Sequence, residues 1–232
     1  MRTFLISLTF AAGLLTFLPS RAEIHSASEP LAAKYETSFT DRDGQTVQRG
    51  AWYIARNDAR IETSSAGRGE IWQRSPGGRI SLRRVFRDDS IVIEYTAAEL
   101  AARGITPDWE TLGSVVAPAA LRQLQPVADD DGKDTAATLF RGKANGEDIE
   151  IRWLPEKNVP ALVKRSGPQG TFTLRLVETR STPAAEWRLS SHLPLSDFRT
   201  IDAADLGDLE HDAAVKRLLR QDPAQQPHAH SH

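Results

Sequence analysis

Three histidines alternate at the end of this chain: His228, His230 and His232. Alternate imidazoles chelate Zn²⁺, Cu²⁺ or Ni²⁺, but on a free tail such a site is weak and unselective. The competing reading is an inert terminus. Upstream, Asp197, Asp202, Asp205, Asp208, Glu210 and Asp212 surround His211. They read as a cation site shared with the tail, or as caps and dipole partners of a C-terminal helix. In the second reading Asp205 or Asp208 caps the helix, and Lys216, Arg217 and Arg220 lie at its other end. The charge order favours that reading. Asp129, Asp131 and Gly132 have calcium-loop types, but Val127 and Thr138 stand where the first ligand and the bidentate Glu belong. Ser190, Ser191, His192 and Asp197 contain the residue types of a triad without a Gly-x-Ser-x-Gly elbow. There is no His-Glu-x-x-His and no glycine-rich phosphate loop. These residues indicate a binding protein and not an enzyme, and no cofactor beyond a weak divalent metal at the tail.

Export is written at the other end. Arg2 precedes an apolar stretch from Phe4 to Leu18, and Ser20-Arg21-Ala22 places small residues at −3 and −1 of a cleavage site. The reading is a secretory signal peptide over residues 1–22, too short in its apolar part to span a bilayer. The chain has no cysteine. It therefore has no disulfide, no thiol nucleophile and no acylated N-terminal Cys. The expected product is a soluble periplasmic protein without a stable membrane anchor. Losing Arg2 and Arg21 takes the formal charge from −2 to −4. A mildly acidic chain without a basic stripe argues against nucleic acid as a partner.

The elements that carry these residues follow from periodicity. From Ala33 to Tyr95 apolar residues recur every second position between short polar turns, giving about six strands of an antiparallel meander. The period then lengthens. Thr96 and Glu99 form a capping box, Pro107 opens a second helix, and Pro118 starts a third with Leu121 and Leu124. Strands resume at Thr138, with a hairpin at Asn145-Gly146 and clean alternation through Ile149, Ile151 and Trp153. A last strand is expected at Trp187 and Leu189, then a helix over Asp208 to Arg220. The expected fold is mainly β, with ten or eleven strands in one large curved antiparallel sheet. A helical insertion at about 96–125 covers its concave side. Residues 23–222 form one domain, and 223–232 a disordered tail.

Gly50-Ala51-Trp52-Tyr53 leading to Arg60-Ile61-Glu62, and Glu70-Ile71-Trp72 before a Pro-Gly-Gly turn, resemble the LolA/LolB-like superfamily. So do Ile151-Arg152-Trp153-Leu154-Pro155-Glu156, Val159-Pro160 and Thr173-Leu174-Arg175-Leu176. That superfamily includes periplasmic lipoprotein carriers and RseB-like sensors. The resemblance implies an unclosed eleven-strand barrel plugged by helices. It also implies a lipid or acylated protein as ligand and leaves room for a membrane-protein partner.

On that frame the inward residues are the ligand candidates: Trp52, Ile54, Ile61, Ile71, Ile80, Leu82, Ile93, Ile151, Trp153, Leu174 and Leu176, with Trp109 and Leu112 on the helical lid. Such a lining takes acyl chains at about 0.8 kcal/mol per buried methylene. The bland alternative is an ordinary core beneath the helices. Arg84 shares the Ile80/Leu82/Phe86 face, where a guanidinium needs a partner or a wet cavity. It reads as a headgroup contact at the cavity rim or as a strand end. Two other classes of function stay open: a metal-handling accessory protein using tail and acidic segment, and an adaptor presenting an exposed strand edge. Calorimetry with Zn²⁺ and Cu²⁺ separates the metal reading. With an inert tail, full-length protein and a chain cut after Asp222 give equal, negligible heats; heat lost on cutting assigns a site to the histidines.

Overall fold

The computed structural model describes residues 30–128, 136–209 and 211–221, without the side chains of 219–221. The expected signal peptide, histidine tail and rejected calcium loop therefore lie outside the described residues.

Side-chain alternation and turn chemistry build the first six strands: β1 Leu31–Thr40, β2 Thr46–Arg56, β3 Arg60–Ser64, β4 Arg68–Arg74, β5 Ile80–Phe86 and β6 Ile91–Tyr95. Asp41 Oδ1 accepts from the amides of Asp43 and Gln45, and Asn57 Oδ1 from those of Ala59 and Arg60. Each turn thus satisfies its own backbone with an Asx side chain. The period changes at Thr96. Its hydroxyl accepts from the Glu99 amide while the Glu99 carboxylate accepts from the Thr96 amide, capping α1 Ala97–Ala102. Asp108 caps α2 Trp109–Leu112, and Pro118 opens α3 Pro118–Arg122.

Strands return as β7 Gln125–Val127, β8 Thr138–Ala144, β9 Glu147–Leu154, β10 Val159–Gly167 and β11 Gly170–Arg180. Asn145 and Gly146 have φ of 52° and 79°, the left-handed pair that a two-residue hairpin needs to match strand twist. The chain ends its described part with β12 Arg199–Asp202 and α4 Ala213–Gln221. All twelve strands form one sheet in the order β12-β6-β5-β4-β3-β2-β1-β11-β10-β9-β8-β7, which does not close into a barrel. Pairing is antiparallel except between β12 and β6. The expected architecture holds.

Two local expectations fail. Trp187 and Leu189 do not lie on a strand. They sit in an irregular strap whose backbone bonds are local: the Trp187 amide donates to Ala184 O (3.0 Å) and the Leu189 amide to Trp187 O (2.8 Å). Their alternation arises because both side chains reach down to the sheet beside Tyr53 and Ala32. The last strand is instead β12, whose single buried residue, Ile201, gives no alternation to read. The cap of the final helix is Asp212, not Asp205 or Asp208; its Oδ1 accepts from the amides of Ala214 (2.9 Å) and Val215 (3.1 Å).

An open sheet has two faces to cover. The inner face carries the helices. The outer face of β1–β6 carries the strap 181–198, with Trp187 and Leu189 on one part and Leu193, Leu195 and Phe198 on another. Polar groups pin the strap. Ser64 Oγ donates to Arg188 O (2.6 Å), Arg87 donates to the same carbonyl, and buried Glu62 accepts from the Ser191 amide (2.9 Å). The strap approaches so closely at Gly69 that a Cβ there stands 2.2 Å from Ser190 Oγ and 3.0 Å from Thr63 O. Gly69→Ala is therefore expected to cost about 1–3 kcal/mol, read as a lower urea midpoint. Ser190→Ala in that background is expected to recover part of it.

Candidate functional site

The strand phase brings most of the predicted ligand residues onto one face, where they divide into two clusters. Ile61, Leu82 and Ile93 are buried with Trp72 and Leu100, and Ile80, Trp109 and Leu112 pack half-buried against them. Ile54, Ile151, Trp153 and Leu174 are buried with Tyr35, Phe140 and Val163. Trp52, Leu176, Phe172 and Ile149 lie half-buried against this second cluster. The helical insertion covers both. Trp109 and Leu112 of α2 rest on the first, and Leu121, Leu124, Val115 and Val116 rest on the second.

Ile71 is the exception. It faces outward with Val85 and Val92, beneath Leu193, Leu195 and Phe198. In register, β4 places Trp72 between Ile61 and Leu82, and so Trp72 is the inward residue. Ile71 and Trp72 are adjacent and both apolar, and a one-residue choice of phase swaps the faces. Val85 betrays the same two-sided burial on β5.

Arg84 has a partner. Its Nε donates to Glu70 Oε1 at 3.1 Å across the β4–β5 pair, and its guanidinium lies 5.5 Å from the Tyr95 ring centroid. Glu70 Oε2 also accepts from Trp72 Nε1 (3.1 Å). Arg103 stands 5.6 Å from the same Tyr95 ring and donates to Ala203 O (2.7 Å). A partnered guanidinium over an aromatic ring is stable without a ligand.

Sequence reasoning passed over the residue at the centre. Arg56 ends β2 on the parity of Trp52 and Ile54, and that parity was the available signal. It stands opposite Ile61 across one pair and Leu31 across the other, where the two clusters meet. Only 6% of it is exposed. Nη1 donates to Gly113 O at 2.5 Å, and Nη2 to Lys157 O at 3.1 Å, with longer bonds to Asn158 O. Gly113 follows α2, and Lys157 and Asn158 form the β9–β10 turn, where Asn158 has φ 51°. One guanidinium thus clasps the lid to the far half of the sheet through carbonyl oxygens. Burial lowers its pKa, and burial likewise drives the Tyr35 hydroxyl well above its ordinary value, with Arg56 pulling it back. The Tyr35 hydroxyl donates to Pro160 O (3.2 Å), on the strand that follows the same turn.

A pair of carboxyls meets where α1 adjoins the start of the C-terminal segment. Burial alone would raise Glu99, but hydrogen bonds from the Thr96 hydroxyl and amide outweigh it and hold Glu99 at about 2. Asp202 is raised, chiefly by its hydrogen bond to Glu99. Elsewhere, a shallow open groove of about 380 Å³ lies along β8–β10, lined by Arg141, Lys143, Asp148, Glu150 and Lys164 among others. Its charges pair across strands: Arg141 with Glu150 (3.0 Å) and Lys143 with Asp148 (2.7 Å). No group of three metal-ligating side chains converges among the described residues. His192 Nδ1 bonds Trp187 O (3.0 Å).

No protein-family model matches the chain, and neither does any curated protein. Solved structures do. PNGF-II matches at 11% identity over 80% of this chain and 34% of its own, with a TM-score of 0.40. The Pseudomonas aeruginosa MucA/MucB complex matches at 13% over 70% and 56%, with 0.36. A putative outer membrane lipoprotein-sorting protein domain from Vibrio parahaemolyticus matches at 10% over 73% and 89%, with 0.28. The chain spans about a third of the PNGF-II chain. All three TM-scores lie below 0.5, too low for a shared function to follow.

Two expectations arise from the site. Arg56→Leu takes the guanidinium donor from the Gly113, Lys157 and Asn158 carbonyls, the first and last of them buried, and is expected to cost about 1–3 kcal/mol. Amide hydrogen exchange is expected to quicken across 109–124 while β9 stays protected. Separately, Glu99 sits below its ordinary 4.5, so the cap's contribution is complete above about pH 4.5 and is lost as pH falls toward 2. The raised Asp202 behaves oppositely, and its contact with Glu99 is lost as pH rises through its own pKa. Carboxyl NMR titration of the two residues checks both signs.

Proposed function

We propose that this protein is a non-catalytic carrier or sensor of a hydrophobic, acylated ligand, exported to the periplasm. The ligand's chains lie on the inner face of the second cluster, beneath the α2–α3 lid. The observation that carries this reading is the manner in which the lid is held. Its short segments rest on an apolar sheet face through two buried leucines, Leu121 and Leu124, and half-buried Val115 and Val116 between the helices, and the polar fixed point is the Arg56 clasp on Gly113. Carbonyl bonds exchange with water at small net cost, whereas a continuous apolar core does not part. Lifting the lid bares Trp52, Ile149, Phe172 and Leu176, already half-exposed at the rim. The export reading rests on residues 1–22. Among the described residues no helix is long and apolar enough to cross a membrane.

Protein purified from a bacterial periplasm is expected to yield lipid on solvent extraction and to bind a fluorescent fatty acid that added acyl ligand displaces. Trp52→Ala weakens that binding about tenfold, ~1.4 kcal/mol. Arg56→Leu speeds probe entry. Absence of both extracted lipid and probe binding removes the carrier reading.

A further inference from the structure

The inner face of β3–β6 is covered by the chain's own C-terminal segment. Ile201, Ala203, Leu206, Val215 and Leu218 are all buried against the first cluster, over Ile61, Leu82 and Ile93. The segment thus covers the first cluster of the inner face, beside the second cluster on which the ligand reading places the chain.

Its last part is lightly held. α4 is nine residues long, well below the length at which a helix persists alone in water. Val215 and Leu218 are its buried side chains among those described. Around them lie surface pairs: Arg217 with Asp89 on the β5–β6 turn, and Arg199 Nη1 with the cap residue Asp212 at 2.6 Å. Exposed pairs of this kind add little and are screened by salt. A short helix docked, among its described side chains, by Val215 and Leu218 with half-buried Ala214 belongs to the low-stability end of a structure, where local opening is easy. Its opposite face carries Lys216 and Arg217, both exposed, so undocking buries no charge.

We infer that α4 is a built-in, displaceable occupant of the first cluster. It undocks to let a long acyl chain run from the second cluster across Arg56 into the first, and its return competes the chain out. This rests on the ligand reading above and adds a regulation to it: chain length is sensed by whether α4 must move. A short chain fits the second cluster with α4 in place.

The chain's lack of cysteine makes the test clean. Asp89→Cys and Arg217→Cys, joined by a short bismaleimide, pin α4 in the full chain; the same protein with both thiols capped singly is the control. Short-chain and long-chain fluorescent fatty acids are the probes. The expected result is unchanged short-chain binding and about tenfold weaker long-chain binding on cross-linking. Val215→Ser with Leu218→Ser is expected to do the reverse for the long chain, and amides of 213–221 are expected to exchange faster when it is bound. Equal long-chain binding by pinned and free protein overturns the inference while leaving the carrier reading intact. Failure of either protein to bind any probe overturns both.

Discussion

A guanidinium buried between two apolar clusters, with backbone carbonyls as its acceptors, is the constraint on which this architecture turns. Both terminal nitrogens of Arg56 leave water for carbonyl oxygens while its Nε is buried without a partner among the described residues, and the oxygens that hold it come from segments distant in the chain. Gly113 belongs to the helical insertion, and Lys157 and Asn158 to the turn after β9. The charge therefore fixes where the insertion crosses the sheet. It also sets how near the second block of strands comes to the first. Neighbouring Tyr35, with its hydroxyl on Pro160 O, ties the same turn from the other strand.

The rest of the covering follows from the openness of the sheet. Twelve strands that do not close leave two faces and two edges. The protein meets this with three separate covers: the helical insertion, the strap 181–198, and the segment from β12 to α4. They differ in kind. The strap is locked by buried polar anchors, Glu62 and Ser64 among them, and by the close approach at Gly69. The lid is clasped by Arg56 over two buried leucines, Leu121 and Leu124, and a fringe of half-buried contacts. Among the described residues α4 is held by Val215, Leu218 and half-buried Ala214, with ion pairs around them. That order, from locked to loose, runs from the outer face to the inner one, where a ligand would lodge.

Arg84 shows that an inward charge can be satisfied within the protein. Its parity left a headgroup contact or a strand end open, and the structure gives it Glu70 and the Tyr95 ring as partners. Arg56 has the same parity signal without a carboxylate partner, and it is the more informative of the two. The acidic segment teaches a similar lesson. Asp202 and Asp212 cap backbone amides, the ordinary work of aspartate at a helix start.

Alternation, turn chemistry and capping are local, and the sequence by itself determined what they govern: the strand blocks, the Asn145-Gly146 hairpin, the Thr96–Glu99 box and the three short helices between. It also determined most of the inner face, because period two assigns faces wherever one side is polar. Where both sides are apolar, as at Ile71-Trp72 and Leu82 with Val85, local pattern carries no phase, and only the pairing of Trp72 with Ile61 and Leu82 chose it. The same limit hid β12, whose parallel pairing to β6 joins residues a hundred positions apart. It hid the strap, whose backbone bonds are local but whose burial is not. And it hid the clasp, because the acceptors of Arg56 are main-chain oxygens, which every residue has and no sequence marks.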